Sequence, residues 1–253
     1  MEEALRRDIA AVCLKVAARG WVANHDGNAS ARLRQDSGGE RFVASPTAVH
    51  KGDVRAEMAV VLDADGKVIA GERKVFSEIA LHLACYRARA DIGFVLHAHP
   101  PTATGWAVAG ESFFDPPFLA EPVVTLGESI PLVPYAAPGG STTELEAAIT
   151  RCDAVLLGNH GVLTVGKDAE QAFLRMELVE HLARIALVAR QVGGARAIPR
   201  EDVEKLLAAR AKAGLAPRPA GESASVESSC APAGASSRPD VSSVVRDALK
   251  RLG

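Results

Sequence analysis

The chain is poor in cysteine, nearly balanced in charge and without a long hydrophobic run, and each shortage removes a class of protein. Its four cysteines, Cys13, Cys85, Cys152 and Cys230, are scattered with no C-x-x-C pair. No dense disulfide framework can be built from that spacing, so they read as reduced thiols of a cytoplasmic protein. Lys and Arg total 29 against 31 Asp and Glu, a net charge of -2. Without a basic bias, nucleic acid is not an expected partner. No uninterrupted apolar stretch approaches the ~20 residues that cross a bilayer, so the chain is expected to be soluble, with no membrane partner.

What is present is an ordinary globular mixture, 48% apolar and 24% charged over 253 residues. That length accommodates one substantial domain with an appendage. Leu5, Ile9, Val12 and Val16 recur at helical spacing, interrupted by Arg6, Arg7 and Lys15. The pattern predicts an amphipathic helix and not a secretory signal. Residues 41–45 and 59–63 read as strands, the second turning at Asp65-Gly66 into residues 67–70. Ser77 is expected to cap a helix carrying Ile79, Leu83 and Tyr86, which puts Glu78 in its first turn. Residues 94–99 form a buried-type strand stopped by Pro100-Pro101. Residues 155–157 run into the sharp turn Gly158-Asn159-His160-Gly161, and 162–165 continue beyond it. Residues 169–192 read as a long, largely buried helix. Strands alternating with helices predict a layered α/β domain over residues 1–213.

Residues 214–239 are almost wholly Ala, Pro, Ser and Gly, a composition that cannot offset its ordering entropy, and they read as a flexible linker. Residues 240–253 follow, with Asp240 as a helix cap and Val241, Val244, Val245, Ala248, Leu249 and Leu252 on one helical face. So short an amphipathic helix needs a receptor, either its own domain or another protein.

The chemistry concentrates in a few residues. On a strand, His97 and His99 point to the same side, at a separation that one metal ion can bridge. His160, in its glycine-flanked turn at a strand end, can supply a third imidazole. Three nitrogen ligands with an open position suit catalytic zinc. The H-x-H pair alone reads more readily as two surface histidines; His160 and the Ser77-Glu78 step, each at an element end, strengthen the metal reading. His25, His50, His82 and His181 have no such setting and read as structural or solvent-facing.

Taken in order, Gly27-Asn28-Ala29-Ser30-Ala31-Arg32, Ser45-Pro46-Thr47, Ser77-Glu78, His97-Ala98-His99 and Leu157-Gly158-Asn159-His160-Gly161 resemble the class II aldolase/adducin family over roughly residues 3 to 212. The resemblance implies a layered α/β/α domain with a central mixed, largely antiparallel sheet. It implies Zn2+, or another divalent metal, held by His97, His99 and His160, with Glu78 as acid/base. Gly27, Asn28, Thr47, Ala48 and Ser77 would line a phosphate or substrate pocket. Family members are commonly four-fold symmetric tetramers with sites between subunits, which implies a homotetramer here. Two positions depart from the family pattern, Ala48 where glycine is usual and Phe76 where a serine is usual. A tyrosine that protonates the departing aldehyde has no counterpart near Ala120-Glu121-Pro122.

The implied reaction is retro-aldol cleavage of a ketose phosphate resembling L-fuculose 1-phosphate, giving dihydroxyacetone phosphate and an aldehyde such as lactaldehyde. Epimerases of this fold carry Asp where this chain has Glu78, which favours cleavage. Dehydratases, decarboxylases and a non-catalytic adducin-like scaffold are the other readings of the fold. The linker and terminal helix resemble the encapsulation peptides of bacterial microcompartments, which implies shell or cargo proteins as partners of residues 240–253.

Overall fold

A computed structural model of the chain describes residues 1–34, 39–137 and 139–217. The expected terminal helix, Cys230 and all but the first residues of the expected linker lie outside the described residues. In chain order the elements are α1 (Glu2–Ala18), β1 (Asn28–Leu33), β2 (Arg41–Ala44), β3 (Val60–Leu62), β4 (Val68–Ala70), α2 (Ile79–Ala88), β5 (Phe94–Ala98), α3 (Pro101–Ala109), α4 (Ala120–Thr125), β6 (Leu132–Val133), α5 (Thr143–Ile149), β7 (Ala154–Leu157), β8 (Gly161–Gly166), α6 (Ala169–Gln191) and α7 (Arg200–Lys212). The strands make one eight-stranded sheet in the order β4-β3-β2-β1-β5-β8-β7-β6. Its neighbours pair antiparallel except β6 with β7, which run parallel. This is the layered α/β architecture with a mixed, largely antiparallel sheet that the sequence implied.

Strand periodicity divides the interior into two layers. Phe94, Leu96 and Ala98 of β5 join Ala29, Ala31 and Leu33 of β1 in a core shared with α1, α3 and α6. Val95, on the opposite face, packs with Leu83, Tyr86 and Ile149 of α2 and α5. The same alternation turns the intervening polar residues Asn28, Ser30 and His97 toward the α2 side. The β1–β5 register sets Asn28 opposite His97 and Ser30 opposite Val95.

Several expectations need correction. Ser77 does not cap α2; Glu78 occupies the N-cap position and makes no side-chain bond to its own helix. Its carboxylate is turned to other partners, as described below. The helix at 169–192 is less buried than its apolar content suggested: Phe173, Met176, Val179 and Leu182 are inside, but Leu187 and Val188 are 45% and 60% exposed. α6 packs on the sheet through one face only, and its outer face carries apolar residues that nothing among the described residues covers fully. The hairpin at Gly66 forms as expected, with Asp63 N–H donating to the Lys67 carbonyl. Cys13, Cys85 and Cys152 are buried free thiols, and burial pushes Cys13 up to about 12. Among the described residues no helix is long and apolar enough to cross a membrane.

On the other side of β8 from His97, the fully buried Asp153 just before β7 gathers three arginines. Arg89 Nη1 donates to it at 2.7 Å and Arg175 Nη2 lies at 2.6 Å. Arg210 of α7 bonds to Asp153 as well and donates to the Val124 carbonyl at 2.8 Å. One carboxylate thus ties the end of α2, α6 and α7 to the sheet. Burial pushes Arg175 down to about 10 against the opposing pull of Asp153, which leaves it charged at neutral pH.

Candidate metal centre

Two segments deliver the histidines. β5 supplies His97 and, one residue past its end, His99, on the same side as the strand period requires. The β7–β8 turn supplies His160, its backbone reversed by Asn159 at φ 55. Gly161 follows because nothing larger fits: an added Cβ would sit 2.5 Å from His99 Cδ2 and 2.7 Å from the Ala98 carbonyl oxygen. Gly27 has φ +71, and a Cβ there would meet Val22 Cγ1 at 2.6 Å. Both glycines let backbone approach the β5 histidines closely.

His97, His99 and His160 each offer a ring nitrogen, and these atoms all lie within 4.8 Å of one another, the one such group among the described residues. The Nε2 atoms of His97 and His99 are 3.1 Å apart. His97 Nδ1 lies 2.9 Å from the Val162 carbonyl oxygen, to which it can only donate, so its Nε2 carries the lone pair. His99 Nδ1 faces Asp26 Oδ2 at 3.4 Å, leaving its Nε2 on the inner side as well. The lone pairs of His97 and His99 face the same point, their rings held from behind by a carbonyl and a carboxylate, and with the His160 ring beside them they form a donor set that fits a divalent cation. His97 is 1% exposed, whereas His99, His160 and Glu78 are 26%, 30% and 31% exposed, so the cluster opens to one side.

Glu78 stands beside this set. Its Oε1 is 2.8 Å from His160 Nε2 and its Oε2 is 3.7 Å from His97 Nε2. Asn28 Nδ2 donates to Oε2 at 2.7 Å. Burial pushes the Glu78 carboxyl up, but the bond to His160, the nearby His97 and the Asn28 amide outweigh it and hold the group well below the usual carboxylate range. Burial, opposed by Glu78, pushes His97 down to about 3. His99 is lowered by its burial, while the Glu78 bond raises His160.

The remaining expected positions fall around this centre unevenly. Asn28 is buried and in contact with Glu78. Thr47 N–H donates to the Lys74 carbonyl at 2.9 Å, which fastens Thr47 and Ala48 to the segment leading into Ser77 and Glu78. Ala48 is exposed, with φ 55, a conformation that suits the glycine usual there. Ser77 is exposed beside Glu78. A cavity of about 940 Å³ bordered by Trp21, Glu121, Leu174 and Arg184 runs along α6 and includes none of the three histidines. Two residues with a place at the site were not anticipated. Asp26 backs His99, and His82 is fully buried against Asn28, with Nε2 2.7 Å from Asn28 Oδ1. Only the spacing of His82 four residues after Glu78 on one helix face could have suggested it.

Comparison with known proteins gives this geometry a family. Residues 7–187 match the model of the Class II Aldolase and Adducin N-terminal domain. A 5-deoxy-D-ribulose 1-phosphate aldolase of Bacillus thuringiensis is 30% identical over 204 residues, 79% of this chain and 92% of that protein. A 3-oxo-tetronate 4-phosphate decarboxylase of Escherichia coli is 28% identical, over 74% of this chain and 88% of its own length. Among solved structures, an L-fuculose 1-phosphate aldolase superposes with a TM-score of 0.73 at 26% identity, covering 81% of this chain and 95% of that one. The chain belongs to the class II aldolase and adducin family and is an aldolase-type lyase.

Proposed function

We propose that the chain is a zinc-dependent aldolase that cleaves a ketose 1-phosphate of the L-fuculose 1-phosphate kind into dihydroxyacetone phosphate and an aldehyde such as lactaldehyde. The observation that carries this reading is the Glu78 carboxylate 2.8 Å from His160 within a three-imidazole donor set. His97, His99 and His160 would hold the ion, and zinc supplies Lewis acidity toward the carbonyl end of the substrate when bound. Breaking the carbon–carbon bond next to that end leaves an electron pair on carbon, which must take up a proton. Glu78, ionised at rest, would first gain the proton that the substrate hydroxyl gives up as the aldehyde forms, and would then pass a proton to that carbon. The relatives named above act on phosphate esters by their names, and Gly27, Asn28, Thr47, Ala48 and Ser77 are the residues proposed to receive the phosphate. Backbone N–H groups around Ala48 can serve where glycine is missing.

The half-exposed histidines and Glu78 leave one side of the centre open, which supports a homotetramer that closes it with a neighbouring subunit. Residues 240–253, outside the described residues, are proposed to direct the enzyme into a bacterial microcompartment; the helical spacing of apolar residues in their sequence supports that role, and a diffusible aldehyde product gives it a purpose. The test is incubation of the zinc-loaded protein with L-fuculose 1-phosphate and related ketose phosphates. Release of dihydroxyacetone phosphate is expected. The likeness to the E. coli decarboxylase favours a second reading, loss of carbon dioxide from a phosphorylated 3-oxo acid, which also leaves a carbon to be protonated. Carbon dioxide from such a substrate, with no ketose cleavage, would replace the first reading by the second.

A further inference from the structure

Behind Glu78 runs a line of four hydrogen bonds between buried side chains. Tyr86 hydroxyl and Ser30 Oγ are 2.9 Å apart, Ser30 Oγ and His82 Nδ1 2.7 Å, His82 Nε2 and Asn28 Oδ1 2.7 Å, and Asn28 Nδ2 and Glu78 Oε2 2.7 Å. Asn28, Ser30, His82 and Tyr86 are all buried. The line follows from two periods. Asn28 and Ser30 are alternate residues on one face of β1, and Glu78, His82 and Tyr86 recur every fourth residue on one face of α2.

Its chemistry allows one direction. An ionised carboxylate only accepts, so Asn28 must present its NH2 to Glu78 and its carbonyl oxygen to His82. That oxygen only accepts in turn, so His82 carries its proton on Nε2. The uncharged ring then has its lone pair on Nδ1, where the Ser30 hydroxyl donates. Ser30 Oγ is left to accept from Tyr86. Burial keeps the ring uncharged, pushing His82 down to about 3. Every bond in the line points toward Glu78.

Resting on the reading of Glu78 as the proton-transfer group, we propose that His82 is a positioning residue. By fixing the Asn28 amide it commits Glu78 Oε2 to accepting from Asn28, and leaves Oε1, the oxygen on the His160 side, to exchange the proton with substrate carbon. A side chain without a donor at the Nε2 position leaves Asn28 Oδ1 without its buried partner, so the amide is no longer held square to Glu78 Oε2 and the carboxylate can swing. Bonds in such a line reinforce one another, so the loss of one link loosens the last.

The test uses zinc-loaded enzyme with His82→Leu and His82→Gln. Glutamine can still donate to Asn28 Oδ1, and leucine cannot. Three quantities are measured: kcat for ketose phosphate cleavage, exchange of the dihydroxyacetone phosphate carbon-bound proton with deuterium oxide, and zinc per subunit. His82→Leu is expected to lower cleavage and exchange together by about ten- to a hundredfold with zinc retained, and His82→Gln to restore most of the loss. Wild-type rates in His82→Leu, or equal losses in both variants, overturn the proposal. If His82→Leu does not fold, nitrogen NMR of the wild-type protein labelled in histidine decides. An uncharged His82 ring protonated at Nε2 is expected, and a ring protonated at Nδ1 or on both nitrogens overturns it. Wild-type enzyme that neither cleaves nor exchanges would end the aldolase reading instead, and the NMR result would still judge the direction of the line.

Discussion

His97 and His99 bring their Nε2 atoms to within 3.1 Å of each other, with the ring proton of His97 directed away to the Val162 carbonyl. Two ring nitrogens at that distance need a shared proton or a cation near both, and with Val162 and Asp26 set to take the Nδ1 protons of His97 and His99 the cation is the expected occupant. The purified protein is therefore expected to carry about one divalent metal per subunit, and His97→Ala, His99→Ala and His160→Ala each to lose most of it. Metal analysis of the dialysed variants is the check; full occupancy in all three would dissolve the assignment.

Glu78→Gln keeps the shape of the side chain and removes its basicity. Metal content should stay near the wild-type value while cleavage falls by roughly a hundredfold or more. Steady-state kinetics beside metal analysis separates this from a variant that fails by losing the ion. Cleavage close to normal would move proton transfer to another group.

Acid should destabilise the metal-free protein early. His82 and His97 are buried and uncharged, each pushed down to about 3 by burial, against an ordinary value of 6.5. Below about pH 6.5 the unfolded chain takes up protons that the folded chain refuses, so stability present above that pH is lost progressively as pH falls toward 3. The slope is about 1.4 kcal/mol per pH unit for each ring. Urea midpoints at pH 8, 6 and 5 should fall in that order, and a midpoint unchanged from pH 8 to 5 would show that these rings protonate freely in the fold.

Asp153→Asn leaves three buried arginines around a neutral amide. Because an unpaired buried charge costs far more than the pair contributes, a loss of about 3–5 kcal/mol is expected. Thermal melting is the readout, and a shift of only a degree or two would mean that the arginines find other acceptors.

Ala48→Gly should stabilise the protein. Ala48 holds φ 55, where its Cβ is strained by about 1 kcal/mol and glycine is not. A rise of a few degrees in melting temperature is expected, and a fall would show that Ala48 makes contacts worth more than the strain.

Much of this was legible in the chain because it depended on neighbours in sequence. The H-x-H step needs only strand alternation, the Gly-Asn-His-Gly turn only its glycines, and the Gly66 hairpin only its Asp-Gly pair. What could not be seen depends on packing between distant segments. His82 lies in an apolar helix run, and its role exists only because β1 lays Asn28 and Ser30 across α2. Arg89, Arg175 and Arg210 look like surface charges until Asp153 collects them. Ser77 looked like a cap because its residue type favours that position; Glu78 took the position instead, its carboxylate engaged by Asn28 and His160. The exposed outer face of α6 is not legible because apolar content alone does not say which side of a helix meets a sheet.

The attachment of α7 has a mechanical consequence. Arg210 is two residues from the end of that helix, and the Ala/Pro/Ser-rich stretch begins just beyond. If residues 240–253 bind a partner as proposed, a pull on that end of the chain enters the fold through α7. The load passes through Arg210 to Asp153, just before β7, and to the Val124 carbonyl. A tether of the kind proposed for residues 240–253 would load the scaffold first at one buried carboxylate held by three arginines.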